Sequence, residues 1–446
     1  MGDTIVAVAT APGIASISIV RLSGPEALEI AKKIAPHFPA EKRRLHLCTI
    51  LDRDGVAIDK GLVVYFEGPE SFTGEDIVEF QSHGGMVVAE EILESLISKG
   101  ARPAEPGEFS KRAFLNGKID MSEAEAIAGL IESRSADAAR ILTRQIAGEL
   151  GDFVRHSRDE MLGAIAHAEV MIDYAEEDIP DDIVDNLKKR LTELSARLDE
   201  IVASSRRRKG MIEGFRVAIV GKPNVGKSSL LNAFLRYERA IVSEYAGTTR
   251  DTIEEQVRIG SHIVRMIDTA GIRKTGDEIE KIGVERSYES IKNADIVIAM
   301  FDSSQPMDRE DEEILTLVRN MDDSVRIVAL NKCDLPQILD DDRIESLSPV
   351  RISAKNDFAP LMEEMRKRLD ELGGDMEIML TTARQMEAVE RCRDEIEYSI
   401  PPLERGELEL FSFHMNEAVK SISSITKPMQ SEEILDRMFG EFCLGK

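Results

Sequence analysis

Gly221-Lys222-Pro223-Asn224-Val225-Gly226-Lys227-Ser228 is the stretch whose residue types and spacing could do chemistry most directly. Two glycines bracket four residues, and Lys-Ser then opens a helical pattern through Leu235, just after the apolar run Val217 to Val220. This strand, loop and helix context is what a phosphate-binding loop needs. Glycines let backbone N–H groups point inward at phosphate oxygens, and the helix N-terminus adds the positive end of its dipole. In that role Lys227 neutralises charge at the β and γ phosphates and Ser228 offers a hydroxyl to Mg²⁺, with Asn224, Val225, Gly226 and Ser229 completing the loop.

Four further segments fall where strands should end, which is where open α/β sheets bind ligands. Asp268-Thr269-Ala270-Gly271 follows the strand-like Ile263 to Ile267; its aspartate would hold the magnesium shell and its glycine amide would donate to the γ-phosphate. Asn331-Lys332-Cys333-Asp334 follows Val325 to Leu330. A carboxylate at Asp334 accepts from both the N1–H and the exocyclic amine of guanine, whereas adenine would meet it with an acceptor. Ser353-Ala354-Lys355 fits the loop that presents a backbone amide to the guanine oxygen. Gly247-Thr248-Thr249-Arg250-Asp251 offers Thr249 as a second hydroxyl ligand for Mg²⁺. In this order the motifs name GTP. The residue after Gly271 is Ile272, where small GTPases carry a water-orienting Gln, so hydrolysis needs another polar group; Lys274 to Glu280 supplies several carboxylates.

The elements that must position these residues follow from the rest of the chain. Its 446 residues suggest about three domains. Residues 1–118 alternate strand-like runs (Thr4 to Thr10, Ile17 to Leu22, Leu62 to Phe66, Ile77 to Phe80) with helical ones (Pro25 to Ile34, Met86 to Ser98), a small α+β domain with a hairpin turn at Asp54-Gly55. Residues 119–209 read as all-helical: a long helix from a capping box at Ser122 to Glu125 running to Leu150, then Phe153 to Ile172 and Ile183 to Ser205. Residues 210–374 alternate strands and helices as a doubly wound, mainly parallel α/β sheet. Residues 375–446 are helical again, and packing of these helices against those of 119–209 would make the α/β domain an insertion into a helical one.

Composition excludes several classes. A net charge of −26 opposes non-specific nucleic-acid binding, so any RNA contact must be local or delegated. Arg206-Arg207-Arg208-Lys209 reads as cations at a helix C-terminus rather than an RNA patch. The apolar runs are too short to span a bilayer, and Met1 to Thr4 lacks the basic start of a signal peptide, so the expectation is a cytoplasmic protein with no membrane contact. Cys48, Cys333, Cys392 and Cys443 form no C-x-x-C pair, and the seven histidines have no ligand spacing.

The whole chain resembles the tRNA-modifying GTPase family called MnmE or TrmE. Carrying that resemblance are Asp3-Thr4-Ile5-Val6-Ala7, Ser71 to Asp76 with His83-Gly84-Gly85, Glu105 to Phe109, Phe114 to Lys118 and the terminal Phe442-Cys443-Leu444-Gly445-Lys446. It implies a homodimer formed through the first domain, a tetrahydrofolate derivative bound there as one-carbon donor, and a GTPase activated by K⁺ when two G domains meet. It also implies work with the flavoprotein MnmG on carbon 5 of the wobble uridine of tRNA. By residue, the resemblance puts folate at Arg21, Glu79, Lys118 and Lys446, and K⁺ at Asn224, Ser243, Tyr245 and Thr248. Glu280 corresponds to the family's catalytic carboxylate, beside Lys227 and Thr249. The loop Ala11 to Ser16 departs from the family's glycine-rich turn. Two other functions compete: a ribosome-assembly GTPase, which would leave residues 1–118 unexplained and would carry a basic RNA-binding domain, and a nucleotide-gated scaffold with incidental hydrolysis.

Overall fold

A computed structural model describes residues 2–173, 181–237, 255–267, 294–321, 325–373, 378–428, 432–442 and 445. They fall into two compact units, Met1–Ile131 with Thr143–Ser195 and Glu387–Lys446, and Glu132–Leu142 with Ala196–Met386.

In the first unit a six-stranded sheet runs β3-β4-β5-β2-β1-β6, where β1 is Ile5–Val8, β2 Ile17–Ser23, β3 His46–Leu51, β4 Ala57–Phe66, β5 Ile77–His83 and β6 Arg102–Pro103. All pairings are antiparallel except β1 with β6. Side chains alternate across a strand, and β2 uses this fully. Val20 and Leu22 join Ile30, Ile34, Phe80 and Ile92 in the core beneath α1 (Ala27–Ile34) and α2 (Met86–Ser98). Arg21 faces the other way, in register with Ala7 and Glu79, where Ile5, Ala7 and Phe109 of α3 (Glu108–Leu115) form a smaller cluster. The expected hairpin turn is present: Gly55 has φ +87°, and Asp52 Oδ1 accepts from the amides of Asp54 at 2.9 Å and Val56 at 2.8 Å.

The helical part corrects one expectation. The single helix expected from Ser122 to Leu150 is instead α4 (Met121–Glu132), α5 (Ala136–Ile146) and the start of α6 (Glu149–Asp173). Ser135 Oγ accepts from the Ala138 amide at 2.9 Å to start α5, and Gly148 at φ +91° follows its end. The capping box also lies two residues earlier than expected. Asp120 Oδ1 accepts from the Glu123 amide at 2.9 Å while Glu123 Oε2 accepts from the Asp120 amide at 2.8 Å, leaving Ser122 buried and donating to Asp120 at 2.7 Å. A carboxylate two residues upstream offers the same reciprocal geometry and wins the cap. Beyond α7 (Asp181–Arg207), the helices after the α/β segment return to the same unit. Cys392 packs against Met161, Glu397 accepts from Ser195 at 3.1 Å and Glu404 pairs with Lys188. The α/β domain is therefore inserted into a helical one.

The second unit holds that domain. Its sheet runs β12-β11-β10-β7-β9-β8, with β7 Phe215–Val220, β8 Glu255–Ile259, β9 His262–Met266, β10 Ile296–Asp302, β11 Val325–Asn331 and β12 Val350–Arg351. Among the described residues only the β8–β9 pairing is antiparallel. All seven residues of β10 are buried: Ile296, Ile298 and Met300 enter one core cluster, Val297, Ala299 and Phe301 the other. That is the signature of a strand covered by helices on both faces. Among the described residues the helices of this domain are, in chain order, α8 (Lys209–Glu213), α9 (Lys227–Tyr237), α10 (Arg309–Arg319), α11 (Asp342–Glu345) and α12 (Ala359–Gly373). The helices that follow it are α13 (Ala383–Glu404), α14 (Leu408–Ser423) and α15 (Glu432–Gly440).

Candidate nucleotide-binding site

The phosphate-binding loop leaves the C-terminal end of β7 and enters α9 at Lys227. Its glycines are required by space. A Cβ on Gly226 would lie 2.2 Å from Asn331 Nδ2, and one on Gly221 would lie 2.7 Å from the Met300 carbonyl oxygen. Gly226 adds φ +113°, and Asn224 sits in the left-handed region at φ +61° with its side chain exposed. Val225 is fully buried, Ser228 is exposed and Ser229 half-buried. Lys227 Nζ donates to the carbonyls of Gly221 at 2.6 Å and Lys222 at 2.9 Å. Burial holds this ammonium below the usual lysine range, opposed in part by the Glu310 carboxylate. A cation so desolvated, hydrogen-bonded among the described residues to neutral carbonyls, suits a phosphate oligoanion.

Asn331 joins this loop to the segment expected to read the base. Its Nδ2 donates to the Val225 carbonyl at 2.7 Å and its Oδ1 accepts from the Ala354 amide at 2.9 Å, both buried. The loop after β12 is closed by Ser353, whose amide donates to the Asp357 carbonyl at 2.7 Å. Lys332, at φ +65°, donates to Asp302 Oδ2 at 2.5 Å. Burial would raise the Asp302 carboxyl, but the hydrogen bonds from Lys332 and Ser304 outweigh it and lower the carboxyl below its ordinary value. Asp334 and Lys355 are exposed at the rim. The structure thus brings Asn224 to Ser229 and Asn331, Lys332 and Ala354 to one end of the sheet. Ser243, Tyr245, Thr248, Thr249, Asp268, Thr269, Ala270, Gly271 and Glu280 lie outside the described residues, as do Lys446 and Cys443.

Sequence reasoning passed over Asp302, and also Asp308 and Asp311, which bind the Lys222 ammonium at 2.8 and 2.6 Å. The available signal was the Asp-x-x-Asp spacing of a helix cap before α10.

A second cluster occupies the N-terminal sheet. Arg21 Nε donates to Glu79 Oε1 at 2.8 Å, and its guanidinium lies 5.8 Å from the Phe72 ring centroid and 5.7 Å from that of Phe109. Two residues beyond Phe72, a Cβ on Gly74 would stand 3.2 Å from the aliphatic stem of Lys118, so that stem passes beside the segment that carries Phe72. The C-terminus arrives here too. Gly445 is buried at φ +90°, and a Cβ there would be 2.4 Å from the Val8 carbonyl oxygen, one residue beyond the Ala7 that faces Arg21 in register. Asn116 Nδ2 donates to the Thr73 carbonyl at 2.7 Å, and Lys111 pairs with Asp436 of α15. A charge network centres on the buried Arg112, which binds Glu75, Glu108 and the exposed Asp3 at 3.1, 3.0 and 2.8 Å.

A mainly parallel sheet, a phosphate-binding loop braced by an Asn-Lys-x-Asp segment, and insertion into a helical domain define the class: a P-loop GTPase carried on a larger scaffold. The family model described as "GTP-binding protein TrmE N-terminus" matches residues 4–118, and that described as "MnmE helical domain" matches residues 121–443. Similar proteins include "tRNA modification GTPase MnmE" of Sulfurovum sp. (strain NBC37-1), 59% identical over 446 residues, covering 100% of this chain and 99% of that protein. The protein of the same name from a Nitratiruptor species is 54% identical over 445 residues, with coverages of 100% and 99%. The chain belongs to the MnmE family of tRNA modification GTPases. A solved structure of Era in complex with MgGDPNP and nucleotides 1506-1542 of 16S ribosomal RNA is 28% identical, covering 41% of this chain and 66% of that one, with a TM-score of 0.27.

Proposed function

We propose that this GTPase is activated by K⁺ and works with the flavoprotein MnmG, using a tetrahydrofolate one-carbon unit to build an aminomethyl or carboxymethylaminomethyl group on C5 of the wobble uridine of tRNA. Residues 1–118 serve as dimerisation and folate-binding domain, 119–209 and 375–446 as helical domain, and 210–374 as G domain. The protein acts as a cytoplasmic homodimer; among the described residues no helix is long and apolar enough to cross a membrane.

The observation that carries this reading is the seating of Gly445 on Val8 beside the Arg21–Glu79 pair. A ligand with an anionic tail and a donor-rich pterin edge suits cations at Arg21, Lys118 and Lys446 with one carboxylate at Glu79. On GTP binding Lys227 exchanges the loop carbonyls for phosphate oxygens. Ser228 and Thr249 offer hydroxyls to Mg²⁺, and Asp268 to Gly271 border the γ-phosphate. Glu280 orients the attacking water in place of the glutamine absent at Ile272. Asn224, Ser243, Tyr245 and Thr248 hold K⁺, which supplies the positive charge an arginine finger gives elsewhere, worth about 10³ to 10⁵ in rate. The TrmE match over residues 4–118 covers the part of the chain that a ribosome-assembly GTPase leaves unexplained.

Multiple-turnover hydrolysis at matched ionic strength tests the activation: the rate rises steeply from Na⁺ to K⁺, and Glu280→Ala cuts turnover while nearly sparing GTP affinity. Equal rates in the two salts would remove the K⁺ cage. Anaerobic reconstitution with the flavoprotein, folate and tRNA, read by nucleoside analysis, tests the destination of the chemistry. Unmodified uridine in the complete mixture would overturn it.

A further inference from the structure

Lys222, the second residue of the phosphate loop, is 8% exposed although lysines are among the residues least often buried. Its side chain runs to α10, where Nζ donates to Asp308 Oδ2 at 2.8 Å and Asp311 Oδ2 at 2.6 Å. Those carboxylates already form a reciprocal cap, with Asp308 Oδ1 accepting from the Asp311 amide at 3.0 Å and Asp311 Oδ2 from the Asp308 amide at 3.3 Å. Asp311 is buried, its Oδ1 has no hydrogen-bond partner among the described residues, and desolvation pushes its carboxyl upward. Lys222 is thus the counter-charge that lets this cap close inside the protein.

The backbone of the same residue faces the nucleotide site. The Lys222 carbonyl accepts from Lys227 Nζ at 2.9 Å and from the Val225 amide at 3.4 Å. One residue therefore fixes the loop by its side chain to α10 and by its carbonyl to the phosphate-seeking lysine. We propose that Lys222 is a positioning residue for nucleotide binding: the Lys222–Asp308–Asp311 tether holds the phosphate loop in its binding geometry, so that loop order does not have to be supplied by the nucleotide. The effect falls on what GDP and GTP share, the α- and β-phosphates in the loop, and little on the hydrolytic step.

The proposal rests on the guanine-nucleotide reading of the site, and a wild-type protein that failed to bind GDP would overturn that reading, separately from the tether. The test measures dissociation constants of fluorescent GDP and a non-hydrolysable GTP analogue, kcat and KM, and Tm of the full chain, for Lys222→Met, Lys222→Arg and the double variant Lys222→Met/Asp311→Leu. Lys222→Met weakens both nucleotides alike by about tenfold, with kcat at saturation kept within about twofold. Lys222→Arg, which can still bind both carboxylates, restores most of the affinity. The double variant removes the stranded carboxylate and recovers Tm, yet stays weak for both nucleotides because the loop is still untethered. Recovery of affinity together with Tm in the double variant would reduce the triad to a plain ion pair and overturn the proposal, as would normal affinity in Lys222→Met. Should Lys222→Met fail to fold, the double variant decides alone.

Discussion

Gly226→Ala is the substitution whose cost the structure lets one work out most fully. The added Cβ would lie 2.2 Å from Asn331 Nδ2 and 3.5 Å from its Cγ, so the amide must move. That movement forfeits the bonds to the Val225 carbonyl and the Ala354 amide, 2.7 and 2.9 Å long, about 1 kcal/mol each. The positive φ of +113° adds about 1–2 kcal/mol for any residue with a Cβ. Gly226→Ala should therefore cost about 3–4 kcal/mol in all. Asn331→Ala loses the same two bonds and costs about 2–3 kcal/mol, but it also vacates the space that the new methyl needs. The two losses count the Asn331 bonds twice, so the double variant should cost about 2 kcal/mol less than the sum. Urea unfolding of the nucleotide-free chain provides the four free energies, provided that ellipticity and intrinsic fluorescence report coincident transitions. Additive costs would refute the reasoning, because they would mean that the Gly226 position does not bear on Asn331.

Asp334→Asn should weaken GTP by about 2–4 kcal/mol and favour xanthosine triphosphate, since two charge-assisted bonds to the base are exchanged; an unchanged preference in competition removes Asp334 from the base pocket. Gly445→Val puts a side chain where a Cβ alone would be 2.4 Å from the Val8 carbonyl oxygen. It should abolish folate binding by calorimetry and leave GTP affinity intact; normal folate binding would detach the C-terminus from that pocket. Acid should loosen the N-terminal domain. Hydrogen bonding to Arg102 leads the causes that hold Asp3 below its usual 3.8. Burial would raise Glu108, but Arg102, the Glu105 amide and Arg112 together hold it below 4.5. Depressed carboxyls stabilise the fold above their unfolded values, and this is lost as pH falls through the folded ones. Thermal melts from about pH 6 to pH 3 should drop, and Arg112→Met should lower Tm at neutral pH while flattening that drop; a parallel drop in the variant would sever the link.

Motifs short enough to be satisfied by neighbours in the chain were legible without coordinates. The phosphate loop between strand and helix, the Asn-Lys-x-Asp segment, the mainly parallel sheet implied by alternating elements and the hairpin at Gly55 all depend on local backbone geometry and period. The helical boundaries were less so. Period 3.6 runs on through Ser133 to Ser135, and the start of α4 is decided by Asp120, which accepts from the Glu123 amide and from the Ser122 hydroxyl that would otherwise cap two residues later. What tertiary structure alone decided is which distant groups meet. Nothing in the sequence pairs Lys222 with Asp311 or brings Asn331 against Gly226, because such contacts depend on strand order and on which charges burial brings together. The same holds at the ends of the chain. The family resemblance implies that the C-terminus, at Lys446, reaches the first domain if the two share a ligand, and the close approach of Gly445 to Val8 comes from the return of the C-terminal helices to the unit that holds the N-terminal sheet.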